Sequence, residues 1–131
     1  MYTICYVSKG KDDLSTDDLE ELFGYTLKYN TEHNITGILL YKSGSFLQVL
    51  EGAKDTLLSI FERIEEDPRH KEIFTILKGP SKKRIFGDYA SRFSIVKTEE
   101  DLENIERYLD QVEDNIPNLR YVKGILEPFL L

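Results

Sequence analysis

The chain has no tryptophan, one cysteine and one methionine among its 131 residues. A single thiol, Cys5, excludes an internal disulfide framework and any multi-cysteine metal site. It falls in the strand-like run Tyr2-Thr3-Ile4-Cys5-Tyr6-Val7-Ser8, on the face opposite Ile4 and Tyr6, and reads as a small core residue. Histidine is also scarce. His33 and His70 have neither HxxxH nor HExxH spacing, so no metal site is expected. Basic charge is short too: 17 Lys+Arg face 24 Asp+Glu, and the formal charge is −7. The only basic run, Lys82-Lys83-Arg84, reads as a solvated loop or strand edge, and nothing else would neutralise a phosphate backbone, so nucleic acid is not an expected partner. No leader-like start is present, and no apolar run approaches the ~20 residues of a membrane span. A cytoplasmic protein without a membrane partner is the expectation. There is neither a Gly-x-Ser-x-Gly elbow nor a phosphate-cradling glycine loop, which removes most support for hydrolase and nucleotidase chemistry.

What is present is enough apolar residue for one compact domain with a proper core. Leu14-Ser15-Thr16-Asp17-Asp18-Leu19 reads as a helix start, with Ser15 as N-cap, Asp18 answering at the third position and Leu14 able to staple Leu19. The helix that follows places Leu19, Leu22, Phe23, Thr26 and Asn30 on one face, so a polar amide occupies the apolar stripe. Two short apolar runs come next, Asn34 to Tyr41 and Phe46 to Gly52, joined by the hairpin-length loop Lys42-Ser43-Gly44-Ser45. Leu57, Ile60, Phe61 and Ile64 mark a second helix that should stop near Asp67-Pro68, with Arg63 able to pair with Asp67 one turn on. Strands are expected at Ile73–Leu77 and Phe93–Val96, and a third helix from Thr98, burying Leu102, Ile105, Leu109 and Val112. The tail ends Pro128-Phe129-Leu130-Leu131, and it either packs on the free face of the sheet or meets another subunit. The order β-α-β-β-α-β-β is that of an α+β, ferredoxin-like sheet with two helices on one face, plus C-terminal helices.

Gln48 stands out. Period-2 alternation puts it beside Phe46 and Leu50 on a dry strand face, where an unpaired amide costs about 1–3 kcal/mol, so it needs a hydrogen-bonding partner. Tyr6 and Ser8 share one face of the first strand, and Asn30 points inward from the first helix. An aromatic ligand edged with carbonyls and ring nitrogens would satisfy all four, with the apolar helix faces sandwiching its rings. A flavin fits that description.

The sequence resembles the BLUF family, blue-light sensors using FAD, over about residues 1–96. The resemblance is carried by Tyr6-x-Ser8, by Asn30 followed by Asn34-Ile35-Thr36-Gly37, and by Phe46-Leu47-Gln48-Val49-Leu50-Glu51-Gly52. Arg63-Ile64, Asp67-x-Arg69-His70 and Arg84-x-Phe86 complete it. It implies a photoreceptor holding FAD, or alternatively FMN, in a sensor domain of residues 1–97, with a helical extension over 98–131. In similar proteins the excited flavin draws an electron and then a proton from the tyrosine matching Tyr6, through the glutamine matching Gln48. The amide then rearranges and the absorption moves to the red.

The resemblance also places Asn30 at the flavin carbonyl and N3 edge, Arg63 near the pyrimidine end, and Leu22 and Ile64 against the ring faces. Ser8, Arg69 and His70 join these as cofactor-binding candidates. The bland readings are Arg63 as a surface partner of Asp67, and Arg69 and His70 as loop-ordering residues. One departure is clear: where the family carries Trp-x-Met near the chromophore, this chain reads Tyr89-Ala90-Ser91, so the output role expected of Tyr89 and Ser91 is altered. The rival reading is a light-insensitive ferredoxin-like interaction module that has lost its flavin. A flavin-dependent redox enzyme has no substrate-binding motif behind it, so no catalysis is expected. The signal is expected to leave through an unnamed protein partner or a homo-oligomer, by way of Leu102–Val112 or the apolar tail.

Overall fold

The computed structural model describes residues 1–89, 91–112 and 116–130, the last without its side chain. Ala90, Leu131 and the Leu130 side chain, named in the sequence reading, lie outside the described residues. The chain runs β1 (Tyr2–Gly10), α1 (Thr16–Glu32), β2 (Thr36–Lys42), β3 (Ser45–Gly52), α2 (Lys54–Glu66), β4 (His70–Pro80), β5 (Phe93–Val96), α3 (Glu99–Gln111) and α4 (Leu119–Leu130). The strands form one sheet in the order β4-β1-β3-β2-β5. Its four antiparallel members are the ferredoxin-like set, and β5 adds parallel to β2.

Local chemistry sets the element ends. At α1 the Ser15 hydroxyl accepts from the Asp18 amide at 3.0 Å while the Asp18 carboxylate accepts from the Ser15 amide at 3.2 Å. Thr98 and Asp101 repeat this reciprocal cap at α3, satisfying amides that a helix start leaves unpaired. Asp67 takes an extended ψ of 117° before Pro68 and ends α2, as the proline ring requires. The hairpin is tighter than expected: β2 reaches Lys42 and β3 starts at Ser45, leaving Ser43-Gly44 with φ of 53° and 82°. Two positive φ values make the turn whose twist matches the strands. Gly37 has φ 138°, and a Cβ there would lie 1.9 Å from the Val49 carbonyl oxygen, so no side chain fits where β2 crosses β3.

Both faces of the sheet are covered. Ile4, Tyr6 and Leu50 face α1 and α2, packing with Phe23, Leu57 and Phe61. Cys5, Leu47 and Val49 face the other way, against Leu102, Ile105 and Leu109 of α3 and Leu119, Val122 and Leu126 of α4. The tail therefore packs on the free face of the sheet, and Lys42 Nζ donates to the Phe129 carbonyl at 2.7 Å. A strand buried on both faces reads as a continuous apolar run, which is what β2 and β3 are.

Three local expectations are corrected. β4 starts at His70, not Ile73, because its first residues pair with Lys9 and Gly10 at the end of β1. The basic run splits: Lys82 and Lys83 are exposed, but Arg84 turns inward and donates to Thr36 Oγ1 (2.9 Å) and the Glu51 carbonyl (3.0 Å). Asp67 pairs with Arg69 at 2.7 Å, while the Arg63 guanidinium lies 5.9 Å from the Tyr29 ring centre.

Candidate functional site

Between α1 and α2, over β1 and β3, lies a cleft of about 630 Å³ including open solvent at its mouth. Tyr6, Leu39, Phe46 and Gln48 form its sheet side, Leu22, Tyr25 and Thr26 its α1 wall, and Ile60, Arg63 and Ile64 its α2 wall. Asp67, Arg69 and His70 close one end.

Tyr6 and Gln48 are directly opposite in the β1–β3 register. The Gln48 Nε2 donates to the Tyr6 hydroxyl at 2.6 Å, so the partner demanded by a buried amide is the tyrosine on the neighbouring strand. Burial pushes the Tyr6 phenol well above its ordinary pKa, and the Gln48 hydrogen bond opposes this only in part. Tyr6 thus holds its proton in a dry site. Gln48 Oε1 is buried with no partner, as are both Asn30 amide atoms. Asn30 is fully buried one turn beyond Thr26 on the same face of α1, and it is not itself part of the cleft lining.

The end of the cleft is built by interlocked polar contacts. His70 Nε2 meets the Ile64 carbonyl at 2.6 Å, which fixes that nitrogen as the donor. In a neutral ring this leaves Nδ1 to accept from the Ser8 hydroxyl, 2.8 Å away. Ser8 therefore orients His70 and does not line the cleft itself. Asp67 accepts from the Arg69 backbone amide (2.9 Å) and guanidinium (2.7 Å). Burial works against its charge, but these donors hold its carboxyl below the usual range.

Of the residues singled out from sequence, Tyr6, Leu22, Gln48, Arg63, Ile64, Arg69 and His70 come together around one cleft. Tyr89 and Ser91 do not. Tyr89 packs against Tyr108 with ring centres 4.8 Å apart, on the α3/α4 side, and Ser91 is exposed ahead of β5. Sequence reasoning missed Tyr25, Leu39, Phe46 and Ile60 as lining. Tyr25 sits three residues beyond Leu22, a spacing that could have flagged it. Also missed was Glu51, whose carboxylate is buried and accepts from Thr36 Oγ1 (2.9 Å), Ile85 N (2.6 Å) and Phe86 N (3.0 Å).

A family model described as sensors of blue-light using FAD matches residues 1–92. The chain belongs to the BLUF family. The family's description names FAD as its cofactor. Among curated relatives, the photoactivated adenylate cyclase subunit beta of Euglena gracilis is 32% identical over 100 residues, covering 76% of this chain and 11% of that protein. The chain spans about a tenth of the length of the curated relatives it matches. Among solved structures, Klebsiella pneumoniae BlrP1 with FMN and cyclic diGMP aligns at a TM-score of 0.75 and 28% identity, over 96% of this chain and 34% of that one. BlrB, a BLUF protein in its dark state, aligns at 0.69 and 27% identity, over 92% and 89% of the two chains. As in these BLUF neighbours, the fold is α+β with a five-stranded mixed sheet. No helix among the described residues is long and apolar enough to cross a membrane.

Proposed function

We propose that this chain is a blue-light photoreceptor that binds its flavin without a covalent bond in the cleft between α1 and α2, and that Tyr6 and Gln48 are its switch. The observation that carries this reading is Gln48 Oε1, buried without a partner in the lining of an apolar cleft, with both amide atoms of Asn30 likewise unpaired one turn beyond Thr26 of the α1 wall. Each such atom costs free energy unless a ligand pairs it. Leu22 and Ile64 stand on facing walls to hold a flat ring system, Gln48 supplies a donor and an acceptor to its polar edge, and Arg63, Arg69 and His70 give the polar surroundings; Asn30, buried outside the lining, would add its amide to that edge when the ligand is bound. A bound flavin, once excited by blue light, supplies the electron acceptor.

The chain's own residues do the rest. Tyr6 would supply the electron and then the proton that the excited flavin takes up, and Gln48, its hydrogen-bonded neighbour in this dry site, would relay that proton. The Gln48 amide carries two donors and an acceptor in a planar group of nearly symmetric shape. Turning it over presents Oε1 to the Tyr6 hydroxyl and sends Nε2 where Oε1 stood, so the bonding pattern changes at constant volume. The reading includes a sensor body of residues 1–97 with 98–131 as its extension, cytoplasmic, acting by contact with a protein partner or as a homo-oligomer, without catalysis of its own. A visible spectrum of the purified protein tests it. Flavin bands that shift reversibly to the red under blue light are the expected result; no flavin uptake, or bands indifferent to light, would overturn it.

A further inference from the structure

Among the described residues β5 ends the sheet on its side and pairs with β2 alone, in parallel. Along a parallel ladder, alternate residues turn their amide groups toward the neighbour and those between turn them away. The Arg92 carbonyl accepts from Gly37 N at 3.0 Å, which sets the phase: Ser94 serves β2, and the Phe93 carbonyl and both Ile95 amide groups face outward. Such an edge is a template for another strand.

A second cleft, about 1360 Å³ including open solvent, runs along that edge. All four β5 residues line it, with Leu27 of α1 and Asn104, Arg107 and Tyr108 of α3 among its walls. The Ser94 hydroxyl is buried there with no partner. Arg107 is the only cation on α3, whose other charged residues are all carboxylates. Its hydrogen bond goes to Asn104 Oδ1 at 3.3 Å, and among the described residues it meets no carboxylate. Of the acids in the lining, Asp101 is committed to the Lys97 and Thr98 amides, and Asp88 sits by Tyr108.

We propose that the β5 edge receives an extended peptide segment of a partner protein, which adds a strand to Phe93 and Ile95 and sets a carboxylate side chain against Arg107. Open main-chain groups require an extended backbone, and the unpaired guanidinium selects an acidic side chain. The edge is also in register with the Tyr6–Gln48 pair: Tyr6 opposes Gln48, Gln48 opposes Leu39, and Leu39 opposes Ile95, one row across four strands. The docking surface stands on the open edge and Arg107, so it does not depend on the flavin reading.

The test is selection of displayed random peptides on the immobilised full chain, followed by titration of the synthesised winners into ¹⁵N-labelled protein. Winners should carry an acidic residue, perturb the Ser94 and Ile95 amides and slow hydrogen exchange at Ile95. Arg107→Glu should weaken them at least tenfold, and replacing the peptide carboxylate by lysine should restore binding to that variant. Ile95→Pro removes an outward-facing amide, a change that an edge strand tolerates, and should abolish binding. No enrichment, perturbation confined to other amides, or equal affinity for parent, Arg107→Glu and Ile95→Pro would each overturn the proposal. The flavin spectrum, recorded on the same samples, reports separately on the photoreceptor reading.

Discussion

Replacing Asn30 by alanine separates a ligand-binding amide from a structural one, because the two roles predict opposite signs. Asn30 is fully buried on α1, and neither amide atom has a partner. In flavin-free protein, removing an unpaired buried amide should gain about 2 kcal/mol. Alanine adds about 0.5 kcal/mol of helix propensity at this interior position. Against these stands about 1 kcal/mol for the packing lost with the amide group. The flavin-free variant should therefore be more stable by about 1.5 kcal/mol, a rise in Tm of about 4–8 °C for a domain of this size. Flavin affinity should move the other way, falling about ten- to a hundredfold as the pairing to the ligand is lost. Urea unfolding of the flavin-free protein gives the first quantity, and quenching of flavin fluorescence on titration gives the second. If the flavin-free variant is instead destabilised by about 1 kcal/mol or more, the amide is paired within the chain and the reasoning fails. An unchanged affinity would remove Asn30 from the site.

Gln48→Leu should keep flavin bound and lose the red shift, since the apolar packing survives and the turning amide does not; a normal shift in its spectrum would refute the switch. Tyr6→Phe should likewise fold and bind but fail to shift, while Tyr89→Phe should shift normally because Tyr89 packs on the far side of the sheet; flash spectroscopy that finds the reverse would mean the wrong tyrosine has been named. Gly37→Ala should cost more than about 3 kcal/mol in urea unfolding, given a Cβ 1.9 Å from the Val49 carbonyl; a cost within about 1 kcal/mol would mean the strands part there freely. Asp67 has a folded pKa below its ordinary value, so its contribution is present above the ordinary aspartate pKa and is lost as pH falls through the folded one. Asp67→Asn should flatten that acid limb by less than about 1 kcal/mol, because the pair is partly solvated; an unchanged acid limb in pH-dependent melting would count against it.

Much of this was legible from residue order because the signals are local. Ser15 with Asp18 and Thr98 with Asp101 are caps written within four residues, and Pro68 ends α2 through its own ring. Gln48 was legible because a lone amide in an apolar run must be answered, and alternation names the face from which the answer comes. Where legibility failed, the partner was far away in sequence. Arg84 looked like part of a solvated basic run, yet its acceptors are Thr36 and Glu51. Asp67 stood one helical turn from Arg63 and two residues from Arg69, and the extended backbone before Pro68 decided for Arg69. Tyr89 and Ser91 matched the family's positions by order alone, and order does not say on which side of the sheet a loop will lie.

The position of β3 explains why two polar residues in one apolar run have such different lives. Gln48 and Glu51 lie three apart, so they point to opposite faces of a sheet that is covered on both. On the α3/α4 side, Glu51 pays for burial, which raises its carboxyl pKa, with donors from the Ile85 and Phe86 amides and Thr36 that oppose the rise. Its three hydrogen bonds tie the stretch after Arg84 to the centre of the sheet, and each would have to break for that stretch to leave. On the α1/α2 side, Gln48 has one bond to Tyr6 and an unanswered carbonyl oxygen. A fully satisfied buried group resists rearrangement, because every one of its bonds must break, whereas a half-satisfied one has fewer to lose. The same strand thus carries a carboxylate held by three hydrogen bonds on one face and an amide held by one on the other, and of the two it is the amide that lines a ligand-sized cleft.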